Sequence, residues 1–363
     1  MQILGAPQRI VTAATERRRV ASGPGVEIVA QAIVPLLQRH EIATHDPADH
    51  HPFAGWKGGV YSGNRQVCRA SLLDRHWTPV TAPFWAREID LDSIRWRRGE
   101  AVYGGLLFHH FGRFLLETTN RLWWPLAEGF QGPIIFQNTA PRQGAPDFAW
   151  RYFELLGLAD RIIIADRALG FDRIIVPGRS YIGQLCFHDA FHAPFVAAGA
   201  AAELLPLARS GALGGGMSGL YLSRTRFANR SSAGELLVEK KFADAGFHIA
   251  HTQELPLEEQ ILLVRRHTRI AGIAGSAFHN ILFSDVGLRP LYICKDYDIN
   301  ANFFMIDELM KNESLYIYAG SAADAEQPKS ARELLDDHWG DIALNTAKVT
   351  SLLDSASDYL ERG

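Results

Sequence analysis

Two segments of this chain carry residue types that, at their spacing, could hold a phosphate and move a proton. The first runs Tyr221-Leu-Ser-Arg-Thr-Arg226, then through Leu257-Glu-Glu-Gln260 to Ile270-Ala-Gly-Ile-Ala-Gly-Ser-Ala-Phe-His-Asn280. Its last part reads as an apolar strand that ends in glycines and turns into a helix, with Ser276 at the cap. Backbone N–H groups at such a helix start are unpaired and sit at the positive end of the dipole, so they attract phosphate. Ser223, Arg224 and Arg226 at another strand end add donors, and a guanidinium matches phosphate oxygens bidentately. Gly275, Ser276, Ala277, His279 and Asn280 would form the cradle, and Glu259 could accept from ribose hydroxyls. The pattern points to a nucleotide diphosphate, held where ligands of open α/β sheets bind. A plainer account exists for each part: glycine turns before helices often serve packing alone, and Glu259 beside Glu258 is equally a surface charge.

The second segment is Phe108-His-His-Phe-Gly-Arg-Phe-Leu-Leu-Glu-Thr-Thr-Asn-Arg-Leu-Trp-Trp124. On a helix, His110, Arg113, Glu117 and Arg121 fall three and four residues apart and share one stripe. Phe111, Phe114, Leu115, Thr118 and Leu122 would pack the neighbouring faces. An amphipathic helix with an Arg–Glu–Arg ladder accounts for this stripe without any chemistry. If the stripe instead faces a cleft, His109 or His110 stands at its mouth. A neutral imidazole, with a reference pKa of about 6.5, can take a proton from a sugar hydroxyl. Glu117, flanked by two arginines, suits orienting a histidine, and Arg113 and Arg121 would then face the acceptor.

Other clusters are weaker. His40, His45, His50 and His51 lie near Asp46 and Asp49, but their irregular spacing reads as solvated loop rather than zinc site. His188 and His192 are four apart among phenylalanines, which favours packing. Asp90-Leu-Asp92 and Asp296-Tyr-Asp298 have a spacing that can hold a divalent cation, yet arginines and a helix dipole neutralise a diphosphate without metal. No metal or other cofactor is expected.

These groups need elements to position them. Strands at 134–136, 161–164 and 174–176, with a helix at 148–158 closed by Gly157, predict a parallel sheet with crossover helices. Five glycines in the twelve residues 208–219 suit neither helix nor strand and are read as a linker. Beyond it come strand 220–223, helix 233–245 stopped by Gly246, strand 247–250, a helix from Leu257, strand 270–274, helix 277–283, strand 291–294, helix 303–310 and strand 315–318. The chain is therefore expected to be α/β with two Rossmann-like domains, 1–207 and 220–330, the second for the nucleotide, and helices at 331–363 packing back on the first. Residues 1–100, with Pro35, Pro47, Pro52, Pro79 and Pro83, suggest only short strands and loops.

Composition narrows the class. The chain has 363 residues, 47% hydrophobic and 21% charged, with a formal charge of −3, which argues against a dedicated nucleic-acid binder, whose signature is a basic face. Its three cysteines, Cys68, Cys186 and Cys294, are far apart and indicate a reducing compartment. No signal peptide is read at the start, and no apolar run reaches the roughly 20 residues of a bilayer span. A cytoplasmic location is expected, compatible with peripheral membrane contact.

Taken together, the segments resemble glycosyltransferase family 61. The resemblance lies in His110-Phe-Gly-Arg-Phe-Leu-Leu-Glu117 with the following Arg-Leu-Trp, in Ser223-Arg224 and Arg230, in Glu259-Gln260, and in Gly275-Ser-Ala-Phe-His-Asn280. It covers roughly residues 103–318. It implies a two-domain GT-B enzyme that transfers a sugar from UDP to a glycan or glycolipid acceptor with inversion, in a bacterial branch associated with capsule or surface polysaccharide. Relatives carry histidine or aspartate where this chain has Arg113, and proline where it has Asn120. Arginine cannot serve as a base at neutral pH, which leaves His110, His109 and Glu117 as candidates. Another nucleotide-sugar enzyme of the same fold, an epimerase or hydrolase, fits the same residues, as does a carbohydrate-binding protein without activity.

Overall fold

Alternating apolar strands and amphipathic helices build a mixed α/β chain, seen in a computed structural model. It describes residues 1–6, 11, 16, 18–42, 53–75, 78–209, 219–227, 234–285, 287–294, 299–319 and 346–355. The chain divides into two compact units, Arg18–Pro194 and the pair Met1–Arg17 with Phe195–Gly363. The linker expected from the glycine content, 208–219, falls inside the unit that contains Phe195–Gly363. Of that stretch, residues 210–218 lie outside the described residues, Pro206–Arg209 is a short 3-10 helix and Gly219 already begins a strand.

The C-terminal unit is built on a six-stranded sheet in which every pairing is parallel. The spatial order is Phe247–Ala250, Gly219–Leu222, Arg269–Ile273, Arg289–Cys294, Leu315–Tyr318 and Gln2–Leu4. Purely parallel strands are covered on both faces and read as near-continuous apolar runs, which is why Gly219–Leu222, Arg269–Ile273 and Leu315–Tyr318 are buried throughout. Phe242, fully buried on the helix Glu235–Asp244, stacks on Tyr221 at 4.9 Å and meets Phe247 edge-on at 5.0 Å. Burying such a ring contributes about 2–3 kcal/mol. Gly246 ends this helix with φ +81°, a left-handed turn that favours glycine. Gly272 permits a close approach instead. A Cβ there would lie 2.8 Å from the Leu222 carbonyl, so only glycine lets the two strands pair as they do.

The described part of the tail is the helix Thr346–Ser355. Its Val349 and Leu353 join the core with Val238, Phe242 and Ile317 of this same unit, which corrects the expectation that the tail packs back on the first domain. An apolar helix face shows that it must be buried but not against which partner. Residues 320–345 and 356–363 lie outside the described residues.

The N-terminal unit carries a seven-stranded mixed sheet, ordered Ile162–Ala165, Ile134–Asn138, Arg95–Leu107, Leu169–Pro177, Val26–Val34, Val60–Tyr61 and Val67–Cys68. The first four are mutually parallel and the last three pair antiparallel. The central strand Arg95–Leu107 is exposed along its charged first half and buried from Ala101 onward. Against that end pack Phe114, Phe148, Tyr152 and Phe153, rings 5.3–5.8 Å from Phe114. No helix among the described residues is long and apolar enough to cross a membrane.

Candidate functional site

In the C-terminal unit the chain goes from Gly219–Leu222 to one neighbour, Phe247–Ala250, and then returns to the other side for Arg269–Ile273. That reversal makes the carboxyl ends of Gly219–Leu222 and Arg269–Ile273 a topological switch point, the usual crevice for ligands in open α/β sheets. The two ends are in register, Leu222 beside Gly272. From them leave the two turns singled out in sequence, 223–227 and 274–277.

Arg224 lies over the glycine turn: a Cβ on Gly275 would sit 3.6 Å from its Nη1. The loop carrying it is pinned from the helix Glu235–Asp244. The Arg224 backbone N–H donates to Glu235 Oε1 at 2.8 Å, Thr225 Oγ1 donates to Glu239 Oε2 at 2.8 Å, and Ser223 Oγ also donates to Glu239. Ser223, 1% exposed, thus spends its hydroxyl on the loop. Arg226 pairs with Glu254 at 3.0 Å on the surface, a contact of small energy. Glu235 and Glu239 give no signal in the sequence, because a glutamate in an amphipathic helix looks like solvated charge.

The turn itself differs from expectation in two ways. Residues Ser276–Phe283 form a 3-10 rather than an α-helix, and Gly275 occupies the cap with an extended backbone, so Ser276 is the first helical residue and makes no side-chain cap. The 3-10 pattern still leaves early donors unpaired: the Ser276 and Ala277 N–H groups make no hydrogen bond among the described residues. Gly275, Ser276 and Ala277 are half-buried beyond the carboxyl end of Arg269–Ile273. His279 and Asn280 point inward. His279 is 8% exposed with its ring 5.8 Å from Phe303. Asn280 is fully buried, and its Nδ2 donates to Gln260 Oε1 at 2.9 Å while Gln260 Nε2 donates to the Leu255 carbonyl at 2.9 Å. The amide pair joins the helix Leu257–Arg266 to the turn, which gives both residues a structural role. The carboxylate of Glu259, in the first turn of that helix and half-buried, makes no hydrogen bond or ion pair among the described residues.

In the N-terminal unit the second segment leaves the carboxyl end of Arg95–Leu107, beside the end of Ile134–Asn138. His109 and His110 both precede the helix. His110 caps it, its Nδ1 accepting the Arg113 N–H at 3.4 Å. His109 Nε2 lies 2.8 Å from Asn138 Oδ1. This contact brings Asn138, which sequence reasoning does not single out, to the candidate site. Arg113 donates from Nε (3.3 Å) and Nη2 (3.2 Å) to Glu117 Oε2, and lies 3.8 Å over the Phe108 ring.

The helix does not keep α geometry. Phe114–Thr118 is a π-turn and Thr119–Arg121 a 3-10 turn. The change of period turns Arg121 away from an α-helical stripe and into the unit. There, 2% exposed, it donates to the carbonyls of Pro177 and Ala70, the latter at 2.6 Å, with burial lowering its pKa to about 10. It remains a cation at neutral pH, placed for structure rather than for an acceptor. The cavity beside it, lined by Ser71, Glu117, Asn120, Arg121 and Arg179, has room for about a single water molecule. Asn120 donates from Nδ2 to the Tyr181 carbonyl at 3.2 Å.

The remaining candidates are local structure. Asp90 Oδ1 accepts the Asp92 N–H at 3.0 Å, a turn that uses up the Asp-x-Asp spacing. His188 Nδ1 meets the Ser22 carbonyl. Among the described residues no group of three or more His, Cys, Asp or Glu could hold a metal ion, and the three cysteines are free thiols. His45, His50, His51, Asp46, Asp49, Arg230, Asp296 and Asp298 lie outside the described residues. No curated protein matches the chain. Residues 111–290, a span just under half of the chain that runs from the helix after His110 through both turns at the switch point, match the family model of glycosyltransferase 61.

Proposed function

We propose that the chain is a glycosyltransferase of the inverting, two-domain GT-B type, taking its sugar from UDP and passing it to a glycan or glycolipid acceptor of surface or capsular polysaccharide synthesis, without a metal. The observation that carries this reading is Arg224 lying over the Gly275 turn at the switch point, beside the unpaired N–H groups of Ser276 and Ala277. A guanidinium and two backbone donors at the carboxyl ends of neighbouring strands suit a diphosphate. The match to the family model supports transfer as the chemistry.

In the proposed reaction the acceptor hydroxyl attacks the anomeric carbon from the face opposite the diphosphate. The new C–O bond forms as the bond to the β-phosphate oxygen breaks, and UDP leaves with the electron pair. Arg224 and the 276–277 donors stabilise the charge that grows on it, an effect of about 3–4 kcal/mol per well-placed donor. Glu259 is assigned to the ribose hydroxyls. Of the two histidines, His109 is assigned the acceptor's proton. The Nδ1 of His110 is engaged with the Arg113 N–H, whereas His109 has no hydrogen bond at Nδ1 among the described residues.

Incubation with UDP-sugars, with and without glycan acceptors, tests the assignment. Acceptor-dependent release of UDP with a glycosylated product of inverted configuration is expected. Sugar isomerisation without acceptor indicates an epimerase, release to water alone a hydrolase, and binding without UDP release a non-catalytic protein; each of these outcomes refutes transfer.

A further inference from the structure

The proton acceptor proposed above requires an imidazole nitrogen with a free lone pair, and a neutral ring offers only one. Which nitrogen is free is set by what the other must do. His109 Nε2 lies 2.8 Å from the side-chain oxygen of Asn138. That oxygen is identified as oxygen by its other contacts. It accepts the Ala140 N–H at 3.0 Å, while the nitrogen of the same amide donates to the Gln143 carbonyl at 2.8 Å. Flipping the amide would set N–H against N–H and carbonyl against carbonyl, losing both bonds. Facing an acceptor, Nε2 must carry the hydrogen.

Asn138 is firmly held where it meets the ring. It is 5% exposed, so water does not compete for the amide. It closes the strand Ile134–Asn138, paired in register with Leu107, two residues before His109. The next residue, Thr139, adds two bonds to the Leu107 carbonyl, from N at 3.2 Å and from Oγ1 at 2.7 Å. Strand end, amide and imidazole therefore form one fixed unit.

We propose that Asn138 is a positioning residue that holds His109 in the Nε2–H tautomer and leaves Nδ1 as the proton acceptor. It rests on the assignment of His109 as base. When Nδ1 takes a proton, the Nε2–H bond to the amide is unchanged, so the ring need not move. A neutral amide also differs from a carboxylate in the same place, which would favour the charged ring.

Nitrogen NMR of 15N-histidine-labelled protein, with His109→Gln to assign the signal, tests this directly. Expected are a protonated Nε2 and an unprotonated Nδ1 in the parent above the titration of the ring, and a mixture of tautomers in Asn138→Leu. A parent His109 in the Nδ1–H form, or mixed, overturns the proposal whatever the activity. Kinetics give the second arm. Asn138→Leu should lower kcat by roughly a hundredfold, within the range of general-base catalysis, with KM for the donor unchanged. Asn138→Asp, which keeps the acceptor, should retain the tautomer and move the acid limb of kcat/KM up by about one pH unit. An unmoved limb with His109→Ala inactive overturns the positioning role alone. Full transfer in His109→Ala overturns the base assignment, and the NMR result then still decides the tautomer.

Discussion

Replacing Gln260 with leucine should destabilise the C-terminal unit, and replacing its partner as well should restore part of the loss. The structure sets the magnitude. Asn280 is fully buried and gives its amide hydrogen to Gln260 Oε1 at 2.9 Å; its own oxygen has no hydrogen-bond partner among the described residues. Gln260→Leu strands the whole Asn280 amide in the core and removes the 2.9 Å donor to the Leu255 carbonyl. One buried polar group left unsatisfied costs about 1–3 kcal/mol, so about 2–4 kcal/mol is expected for the amide and the half-buried carbonyl together. At roughly 2–4 °C per kcal/mol, the midpoint should fall by about 4–16 °C. In the double variant Gln260→Leu, Asn280→Leu no amide remains to strand, and the Leu255 term is common to both. The double variant should therefore be more stable than Gln260→Leu, with a coupling of about 1–2 kcal/mol. Thermal and urea unfolding of parent, both single variants and the double measure it. A double variant no more stable than Gln260→Leu would refute the buried pair, and weaker UDP binding by folded Asn280→Leu would return Asn280 to the ligand site.

Arg121→Lys should cost about 1–3 kcal/mol, since one ammonium cannot reproduce a guanidinium fork between the carbonyls of Pro177 and Ala70; an unchanged melting temperature contradicts this. Burial lowers the pKa of His248 and His267, so the folded state binds fewer protons than the unfolded chain once the pH falls below about 6.5. Stability should therefore fall as the pH drops through that value, level off below the folded pKa, and fall less in His267→Gln; parallel pH profiles of the two proteins contradict the assignment. Phe242→Ala, which empties the stack between Tyr221 and Phe247, should cost about 3–5 kcal/mol by chemical denaturation, and a loss below about 1 kcal/mol contradicts its place in the core.

The C-terminal unit is legible in the sequence because its signals are local. Apolar runs such as Leu315–Tyr318, stop glycines such as Gly246, and the amphipathic start at Leu257 each report on their own neighbourhood. Its sixth strand is not legible. Gln2–Leu4 pairs with Leu315–Tyr318 across most of the chain, and three residues carry no code for a distant partner. The π-turn at Phe114–Thr118 is hidden for another reason. Spacing assumes a constant period, and the widened turn coincides with a tertiary bond from Thr118 Oγ1 to the Leu106 carbonyl at 2.9 Å that no local pattern announces. For the candidate site, sequence picks out Arg224 and the Gly275 turn, which the fold brings together, and also Ser223, Asn280 and Arg121, whose polar groups serve the scaffold. Motif residues that hold a loop and motif residues that face a ligand look alike until burial separates them. Asn138 gives no signal because an asparagine ending a strand is ordinarily a turn residue.

The central claim is that the switch point between Gly219–Leu222 and Arg269–Ile273 holds the diphosphate of a nucleotide sugar. Calorimetric titration of UDP into the parent and into Arg224→Ala tests it most directly, with unfolding curves to show that the variant is folded. A charge-assisted contact to phosphate contributes about 1.5–3 kcal/mol, so the variant should bind UDP roughly tenfold to a hundredfold more weakly while uridine binds both proteins alike. Equal UDP affinity in the two proteins, or no binding of UDP to the parent, would contradict the account.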